Sequence, residues 1–143
     1  MKKNVCVING PNLNLLGTRE PDIYGSATLL DIIAKLKTDY SDFQITAIQS
    51  NSEGELVDAI QQLGNKNTWG IINAAAYTHT SVAIRDAISA VPCQFIEVHL
   101  SNVFKREEFR HHSMISDVCQ GVMTGFGADV YSLAMEFILR QND

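Results

Sequence analysis

Short apolar runs alternate along the chain with amphipathic stretches, which divides it into repeated units of strand, loop and helix. Residues 5–8 form a continuous apolar run that ends at Asn9, Gly10 and Pro11, as in a strand buried on both faces of a parallel sheet. A long loop follows, and the next helix is predicted to begin at Ser26 as its N-cap. Its apolar face would consist of Leu29, Leu30, Ile32, Ile33 and Leu36.

Four further strands are predicted, at residues 43–48, 69–72, 95–98 and 118–123. Helices are predicted from about residue 53 to a stop at Gly64, over residues 81–90 and over residues 128–139. The first of these would bury Leu56, Val57, Ile60 and Leu63, and the last Leu133, Phe137 and Ile138. Strands that alternate with helices form a parallel sheet with right-handed crossovers. We therefore expect an α/β fold, a flavodoxin-like three-layer sandwich with a five-stranded parallel sheet, in a single domain over residues 1–143.

Composition and charge narrow the class of protein. With 143 residues, of which 45% are hydrophobic and 19% charged, the chain can bury one core. The net charge of −5 and the scatter of the eleven basic residues argue against a nucleic-acid partner. No apolar segment is long enough to span a membrane, and the run after Lys2 and Lys3 is too short for a signal peptide. Three widely spaced cysteines, without the spacing of a zinc site, favour reduced thiols in the cytoplasm.

Polar side chains cluster at the ends of three of the predicted strands. In an open parallel sheet the ligand crevice lies outside the carboxyl ends of the strands, where loops and helix N-termini converge. We expect the functional site there, although each residue taken alone is also explained as an ordinary polar loop residue. The candidates are Asn9, Asn12, Asn14, Arg19 and Tyr24 after the first strand, Asn73, Tyr77, Thr78 and His79 after the third, and Glu97, His99, Ser101 and Asn102 at the end of the fourth.

Tyr24 and Arg19 share the long loop after the first strand, and long loops in compact domains often carry function. A phenol has an ordinary pKa near about 10, but a neighbouring guanidinium stabilises the phenolate and lowers that pKa. Arg19 suits this role because arginine stays protonated. Tyr24 is therefore a candidate base, and the alternative is a ring that packs beside Gly25 at the exit of the loop.

Glu97 and His99 lie two residues apart in one predicted strand, so their side chains point to the same face of the sheet. A carboxylate beside an imidazole orients the ring and favours its charged form, which suits a proton donor. A carboxylate without a partner in an apolar strand would be costly. For His79 the sequence leaves two alternatives, contact with a ligand or a packing or capping role before Ser81.

A charged stretch follows at residues 105–112. Arg106 and Arg110 would share one side of a helical turn and form either a solvated face or a clamp for an anion or a hydroxyl. His111 and His112 are expected to be solvated.

Five chemically specific motifs are spread along nearly the whole chain. The first is Gly-Pro-Asn-Leu-Asn-Leu-Leu-Gly-Thr-Arg-Glu-Pro-Asp-Ile-Tyr-Gly at residues 10–25. The others are Gln-Ser-Asn-Ser-Glu-Gly at 49–54, Ala-Tyr-Thr-His-Thr-Ser-Val-Ala at 76–83, Glu-Val-His-Leu-Ser-Asn at 97–102 and Arg-Glu-Glu-Phe-Arg at 106–110. In this order and with these spacings the sequence resembles the type II 3-dehydroquinate dehydratases, also called type II dehydroquinases.

The resemblance implies anti elimination of water from 3-dehydroquinate to give 3-dehydroshikimate through an enolate, a step of the shikimate pathway of aromatic amino-acid biosynthesis. It also implies that no cofactor, metal ion or Schiff base takes part. By motif position, Tyr24 would remove the C2 proton, Arg19 would lower the pKa of Tyr24, and Asn12 would help to stabilise the enolate through a water. His99, oriented by Glu97, would protonate the departing C1 hydroxyl. This set supplies the base, the enolate donors and the acid that such an elimination requires.

The same resemblance implies a substrate-binding set and an assembly. Family members form trimers that assemble into dodecamers, in which Asp86 would reach the site of a neighbouring subunit. Without the resemblance, Asp86 beside Arg85 would count only as a surface charge. The substrate hydroxyls and carboxylate would be held by Asn73, His79, Leu100, Ser101 and Arg110, with backbone N–H groups contributing.

The chain departs from the family pattern at three places. Asn73-Ala74-Ala75 stands where the family usually has Asn-Pro-Gly, so the turn that carries Asn73 can differ in rigidity. Ser116-Asp117 and Val130 stand where the family usually has Ser-Pro and Gly. All three places lie outside the proposed acid and base.

Two other functions stay open on the sequence alone. One is a flavodoxin-like carrier of FMN or a nucleotide, although the loop after the first strand is bulky and lacks a Gly-rich phosphate motif. The other is a hydrolase that uses Cys119 or Cys6 with a histidine, although Cys6 lies in a predicted buried strand. A lysine-imine dehydratase in a (β/α)₈ barrel is excluded by length, because such a barrel needs about 200 residues or more.

Overall fold

Five parallel strands form one sheet in the computed structural model, which describes residues 3–18, 22, 25–64 and 67–141. The strands are β1 (Lys3–Asn9), β2 (Phe43–Gln49), β3 (Thr68–Asn73), β4 (Gln94–His99) and β5 (Gly121–Thr124). Their order across the sheet is β2-β1-β3-β4-β5, and each neighbouring pair is parallel. This is the strand order of flavodoxin-like folds, so the predicted fold class is confirmed.

The predicted start of β5 is wrong. Val118 belongs to a 3-10 turn, in which its N–H donates to the carbonyl of Ile115 at 3.1 Å. The strand begins only at Gly121, opposite Ile96 of β4. Val118 packs against the core cluster that contains Cys6, Ile8 and Phe95, so it is apolar like a strand residue although it lies in a turn.

Four helices of the described residues cover the sheet. They are α1 (Leu29–Asp39), α2 (Glu53–Gln61), α3 (Val82–Ala90) and α4 (Asp129–Arg140). Ser52 and Ser81 cap α2 and α3 by accepting hydrogen bonds from N–H groups one turn later, at Glu55 and Ile84. The sequence therefore predicts these two starts correctly. Gly64 does not end α2 as predicted, because the helix stops at Gln61 and Gln62 forms its C-cap.

The N-cap of α1 is Thr28 and not Ser26 as predicted. Thr28 Oγ1 accepts a hydrogen bond from the Asp31 N–H, and the Asp31 carboxylate accepts one from the Thr28 N–H, each at 3.1 Å. This reciprocal pair requires a carboxylate or amide side chain three positions after the cap. Ser26 has Leu29 at that position and cannot form it.

Two apolar clusters on opposite faces of the sheet give the fold three layers. On one face α1 and α4 pack through Ile33, Leu36 and Met135 against Val5 and Val7 of β1. On the other face α2 and α3 pack through Leu56, Ile60 and Ile84 against Cys6 and Ile8 of the same strand. Because β1 alternates between the two clusters, it is buried on both sides, as its apolar run predicts.

Two residues assigned to the core by pattern lie on the surface. Leu30 is 82% exposed and Leu133 is 43% exposed. The buried stripe of α4 instead contains Tyr131, Ala134 and Met135, so the apolar face lies to one side of Leu133. Among the residues described, no helix has the length and apolar character needed to cross a bilayer.

Candidate active site

The carboxyl ends of β1, β3 and β4 lie side by side and open into a cavity of about 180 Å³. Asn73 and His99 are the last residues of β3 and β4, so their side chains lie where the strands give way to loops. This is the edge of the sheet at which the crevice is expected.

Most of the predicted site residues that the structure describes line this cavity. Glu97 is buried directly behind His99, and Asp86 is exposed on α3 outside the cavity of a single chain. Arg19 and Tyr24 lie outside the described residues, so their placement stays a prediction. The predicted residues in the cavity wall are Asn12, Asn73, His79, His99, Leu100, Ser101 and Arg110.

The carboxylate of Glu97 holds the imidazole of His99. His99 Nε2 lies 2.5 Å from Glu97 Oε2, and the side chains are 7% and 1% exposed. With Nε2 engaged, Nδ1 is the ring nitrogen left for proton exchange with a molecule in the cavity. The predicted pairing of Glu97 with His99 on one face of β4 is thereby found, and it fixes the orientation of the ring.

Two serines complete the environment of Glu97. Ser116 Oγ donates to Glu97 Oε1 at 2.5 Å, and Ser113 Oγ lies 3.2 Å from Oε1 and 3.1 Å from Oε2. Burial alone would raise the pKa of Glu97, but the hydrogen bonds from His99, Ser116 and Ser113 outweigh it and lower the pKa below its ordinary value. Glu97 is therefore an anion at neutral pH and pairs with Nε2 of His99.

The segment that carries these serines is anchored to α3. Arg85 donates to both carboxylate oxygens of Asp117 and, at 2.9 Å, to the carbonyl of Met114. Asp117 is the residue that replaces the usual proline of the family pattern. At the position where the family pattern has the rigid ring of proline, the ion pair between Asp117 and Arg85 holds the segment against α3.

The rings of His79 and His99 stack in the wall of the cavity. Their rings are nearly parallel, with centroids 6.3 Å apart, and Nδ1 of His79 lies 2.8 Å from the carbonyl of His112. Burial, together with the charges of His99 and Arg110, lowers the pKa of His79 despite the hydrogen bond to His112. A neutral His79 donates through Nδ1 and presents Nε2 as an acceptor, which suits a substrate hydroxyl.

The loop after β1 is held against the cavity by the Gln49-Ser50-Asn51 motif. Asn12 has a left-handed backbone, with φ of 69°, and its N–H donates to Asn51 Oδ1 at 3.0 Å. Gln49 Nε2 donates to the Gly10 carbonyl at 3.1 Å, and Tyr77 donates to the Asn51 carbonyl at 2.8 Å. Residues from three separate motifs thus meet to fix Asn12 in the wall.

Two guanidinium groups give the cavity positive charge. Arg106 NH1 donates to Ser101 Oγ at 3.3 Å, and Arg110 Nε donates to Glu107 at 3.0 Å. Both arginines line the cavity and both are partly buried. Of the two alternatives weighed from sequence, this arrangement favours the clamp for an anion or a hydroxyl over a solvated face.

The turn after Asn73 is strained. Ala75 has φ of 52°, in the left-handed region that favours glycine, and its N–H donates to Asn73 Oδ1 at 3.2 Å. This is the position at which the family pattern has glycine. Ala75 therefore adopts, with strain, a backbone conformation that glycine adopts without it.

The cavity combines a carboxylate-supported imidazole, an amide, a second imidazole and two cations, which suits proton transfer to a bound hydroxylated anion. Within the described residues, no three His, Cys, Asp or Glu side chains are grouped so that they could hold a metal ion.

Burial raises the pKa of Cys119 to about 12, and it also raises the pKa of Cys6. Protonated thiols are weak nucleophiles, so the site does not favour the hydrolase alternative.

Comparison with known proteins gives the family. The family model described as "Dehydroquinase class II" matches residues 3–139. The 3-dehydroquinate dehydratase of Bordetella avium (strain 197N) is 53% identical over 143 residues, covering 98% of this chain and 99% of the relative. The chain belongs to the class II dehydroquinase family. The 3-dehydroquinate dehydratase of Tolumonas auensis is 55% identical over 141 residues, which cover 97% of this chain and 93% of the relative. The crystal structure of the type II dehydroquinase from Propionibacterium acnes matches with a TM-score of 0.93 and 39% identity over 98% of each chain.

Sequence reasoning missed several residues that support this class II dehydroquinase site. Ser113 and Ser116 bind Glu97 from a loop and a short 3-10 turn between β4 and β5, so no periodicity points to them. Asn51 lies in a motif that the resemblance includes, but its contact with Asn12 spans 39 positions. Tyr131 interrupts the apolar face of α4, and a tyrosine in such a face is a signal that its hydroxyl needs a buried partner.

Proposed function

We propose that this chain catalyses the dehydration of 3-dehydroquinate to 3-dehydroshikimate by anti elimination through an enolate, as a step of aromatic amino-acid biosynthesis. The observation that carries the proposal is the buried Glu97–His99 pair at the wall of a cavity, in a chain of the class II dehydroquinase family. Loss of a hydroxyl β to a ketone needs an acid for the leaving group, and the pair provides one.

His99 is the proposed acid. In its imidazolium form the ring donates through Nε2 to Glu97, and the departing hydroxyl at C1 takes up the proton on Nδ1 as water leaves. After transfer the ring is neutral, and Nε2 still donates to Glu97, so the orientation of the ring survives the step. The starting state returns when the base releases the proton taken from C2 and His99 takes up a proton.

The proposed substrate contacts are the polar groups of the cavity wall. Arg110, with Arg106 beside it, supplies positive charge for the carboxylate, and Ser101 adds a hydroxyl. Asn73 and neutral His79 present an amide and an acceptor nitrogen to the substrate hydroxyls. Asn12 is placed to help hold the water that stabilises the enolate.

Tyr24 is the proposed base, with Arg19 lowering its pKa. Support comes from the family pattern and from the described ends of their loop. Leu16, a described residue of this loop, lines the cavity, and Asp22 lines an adjoining one with Ser101 and Arg106. Described residues on both sides of Arg19 in the sequence therefore line these cavities.

We also propose one catalytic domain without a cofactor, located in the cytoplasm and assembled as a dodecamer of trimers. The free thiols of Cys6, Cys93 and Cys119 support the location. Asp86 supports the assembly, since it is exposed on α3 and would need a second chain to meet a cavity. Native mass spectrometry tests this, and a monomer that is fully active would contradict both the assembly and the role of Asp86.

The test of the reaction is an ultraviolet assay. Purified protein mixed with 3-dehydroquinate should generate the absorbance of the conjugated enone in the product. Borohydride added with substrate should leave the activity intact, because no imine forms. An absence of absorbance at high protein concentration would refute the proposed function, and inactivation by borohydride would indicate a lysine imine.

A further inference from the structure

A buried chain of hydrogen bonds joins α4 to the end of β3, outside the residues assigned above. Tyr131 lies in the first turn of α4 and is fully buried. Its hydroxyl oxygen lies 2.5 Å from Asn9 Oδ1 and 3.2 Å from Asn73 Nδ2. Asn9 and Asn73 are the last residues of β1 and β3 and lie opposite each other in the sheet. Tyr131 thus connects to a residue of the cavity wall without touching the cavity itself.

The direction of these hydrogen bonds is determined from one end. The backbone N–H of Ala75 can only donate, so the atom of Asn73 that faces it at 3.2 Å is Oδ1. Asn73 Nδ2 therefore faces Tyr131 and donates to its hydroxyl. Since that hydroxyl accepts from Asn73, its own proton is free to bind Asn9 Oδ1. Every hydrogen bond in this series therefore points the same way: Asn73 donates to Tyr131, and Tyr131 donates to Asn9.

We propose that Tyr131 is a positioning residue that fixes the rotation of the Asn73 carboxamide for substrate binding. The proposal rests on the proposed function, in which Asn73 contacts a substrate hydroxyl. Because its Oδ1 binds the Ala75 N–H and its Nδ2 binds the Tyr131 hydroxyl, the carboxamide of Asn73 cannot rotate about the Cβ–Cγ bond. The second N–H and the second lone pair of the amide therefore keep fixed positions toward the substrate. A reversed amide would present a donor where an acceptor is required.

Two properties of the network favour this role over plain packing. Burial raises the pKa of Tyr131, so the phenol keeps the proton that it donates to Asn9. Asn9 Nδ2 is buried without a hydrogen-bond partner among the described residues. A buried polar group without a partner destabilises a fold, so an apolar residue at position 9 would stabilise the protein more than Asn9 does. The network is therefore better explained by what it does for Asn73.

A double-mutant cycle tests the proposal. Tyr131→Phe removes only the hydroxyl and should lower kcat/KM for 3-dehydroquinate by about tenfold through misplacement of Asn73. In an Asn73→Ala background the same substitution should change kcat/KM by less than about twofold, because the group on which it acts is gone. An equal loss in both backgrounds would overturn the proposal, and so would an unchanged kcat/KM in the single variant.

Tyr40→Phe is the matched control. The hydroxyl of Tyr40 also binds α4, through the Ser132 carbonyl at 3.2 Å, but Tyr40 does not line the cavity. It should keep the wild-type kcat and KM. If Tyr131→Phe does not fold, Asn9→Ala keeps the phenol ring and removes only its acceptor. Asn9→Ala should lower kcat/KM in the wild-type background but not in the Asn73→Ala background. A loss in kcat/KM that persists in the Asn73→Ala background would overturn the proposal.

A readout without substrate separates this proposal from the proposed function. The crystal structure of ligand-free Tyr131→Phe should show the Asn73 carboxamide turned away from the Ala75 N–H. An unmoved carboxamide would overturn the positioning role even in an active enzyme. A wild-type protein that leaves 3-dehydroquinate unchanged would instead refute the proposed function, whatever the crystal structure shows.

Discussion

His99 Nε2 lies 2.5 Å from Glu97 Oε2, and both side chains are buried at the base of the cavity. Such a pair holds the imidazole in one orientation and stabilises its charged form. Ser113 and Ser116 also donate to the carboxylate, and together with His99 they lower the pKa of Glu97 despite its burial. The pair thus keeps the ring of His99 in one orientation at the cavity.

Glu97→Gln should lower kcat by about 10²-fold or more, within the range that a lost proton-transfer partner typically costs. The amide keeps the shape of the side chain but removes the charge that favours the imidazolium. Steady-state kinetics with 3-dehydroquinate measure the effect, and KM should change little. Glu55→Gln is the control, because Glu55 also accepts a short hydrogen bond from a serine but lies away from the cavity. Equal kcat values for the two variants would contradict the role of Glu97.

Tyr24→Phe should retain substrate binding and lose turnover, because only the hydroxyl that removes the C2 proton is absent. We expect kcat to fall by about 10²–10⁴ while the dissociation constant for 3-dehydroquinate, measured by calorimetry, stays near that of the wild type. The Tyr40→Phe variant again provides the comparison. An unchanged kcat in Tyr24→Phe would exclude Tyr24 as the base and transfer that role to another residue.

The fold was largely predictable because it depends on local patterns. Apolar runs mark β1 to β4, and the hydroxyl caps Ser52 and Ser81 mark two helix starts. The pairing of Glu97 with His99 was predictable as well, since alternation along a strand is a local rule. Contacts that bridge distant segments were not. Ser116 reaches Glu97 across 19 positions, Asn51 reaches Asn12 across 39, and Tyr131 reaches Asn9 across 122. Their partners depend on how the sheet is assembled, which no single stretch of sequence specifies.

Ala75→Gly should stabilise the protein. Ala75 has φ of 52°, and a side chain in the left-handed region costs about 1–2 kcal/mol. Glycine removes this strain but loses about 0.5–1 kcal/mol through the greater freedom of the unfolded chain, so the net gain should be about 0.5–1 kcal/mol. Urea denaturation measures the free energy of unfolding.

Ala76→Gly controls for the substitution of alanine by glycine in the same 3-10 turn. Ala76 does not have positive φ, so its replacement removes no strain and should destabilise the protein by about 0.5–1 kcal/mol. The two variants should therefore shift the denaturation midpoint in opposite directions. A destabilised Ala75→Gly would show that the strain at this turn is absent in solution.

Stability should fall as the pH drops below about 6.5, the ordinary pKa of histidine, because of His79. Burial lowers the pKa of His79 in the folded state, so the unfolded chain takes up this proton first. The free energy of unfolding decreases from the unfolded pKa down to the folded one and then levels off. Glu97, whose pKa is lowered, adds a separate loss at more acidic pH, below the ordinary range of a carboxyl group. His79→Gln should flatten only the first decline, as measured by urea denaturation at a series of pH values. A His79→Gln curve parallel to that of the wild type would show that His79 does not carry the effect.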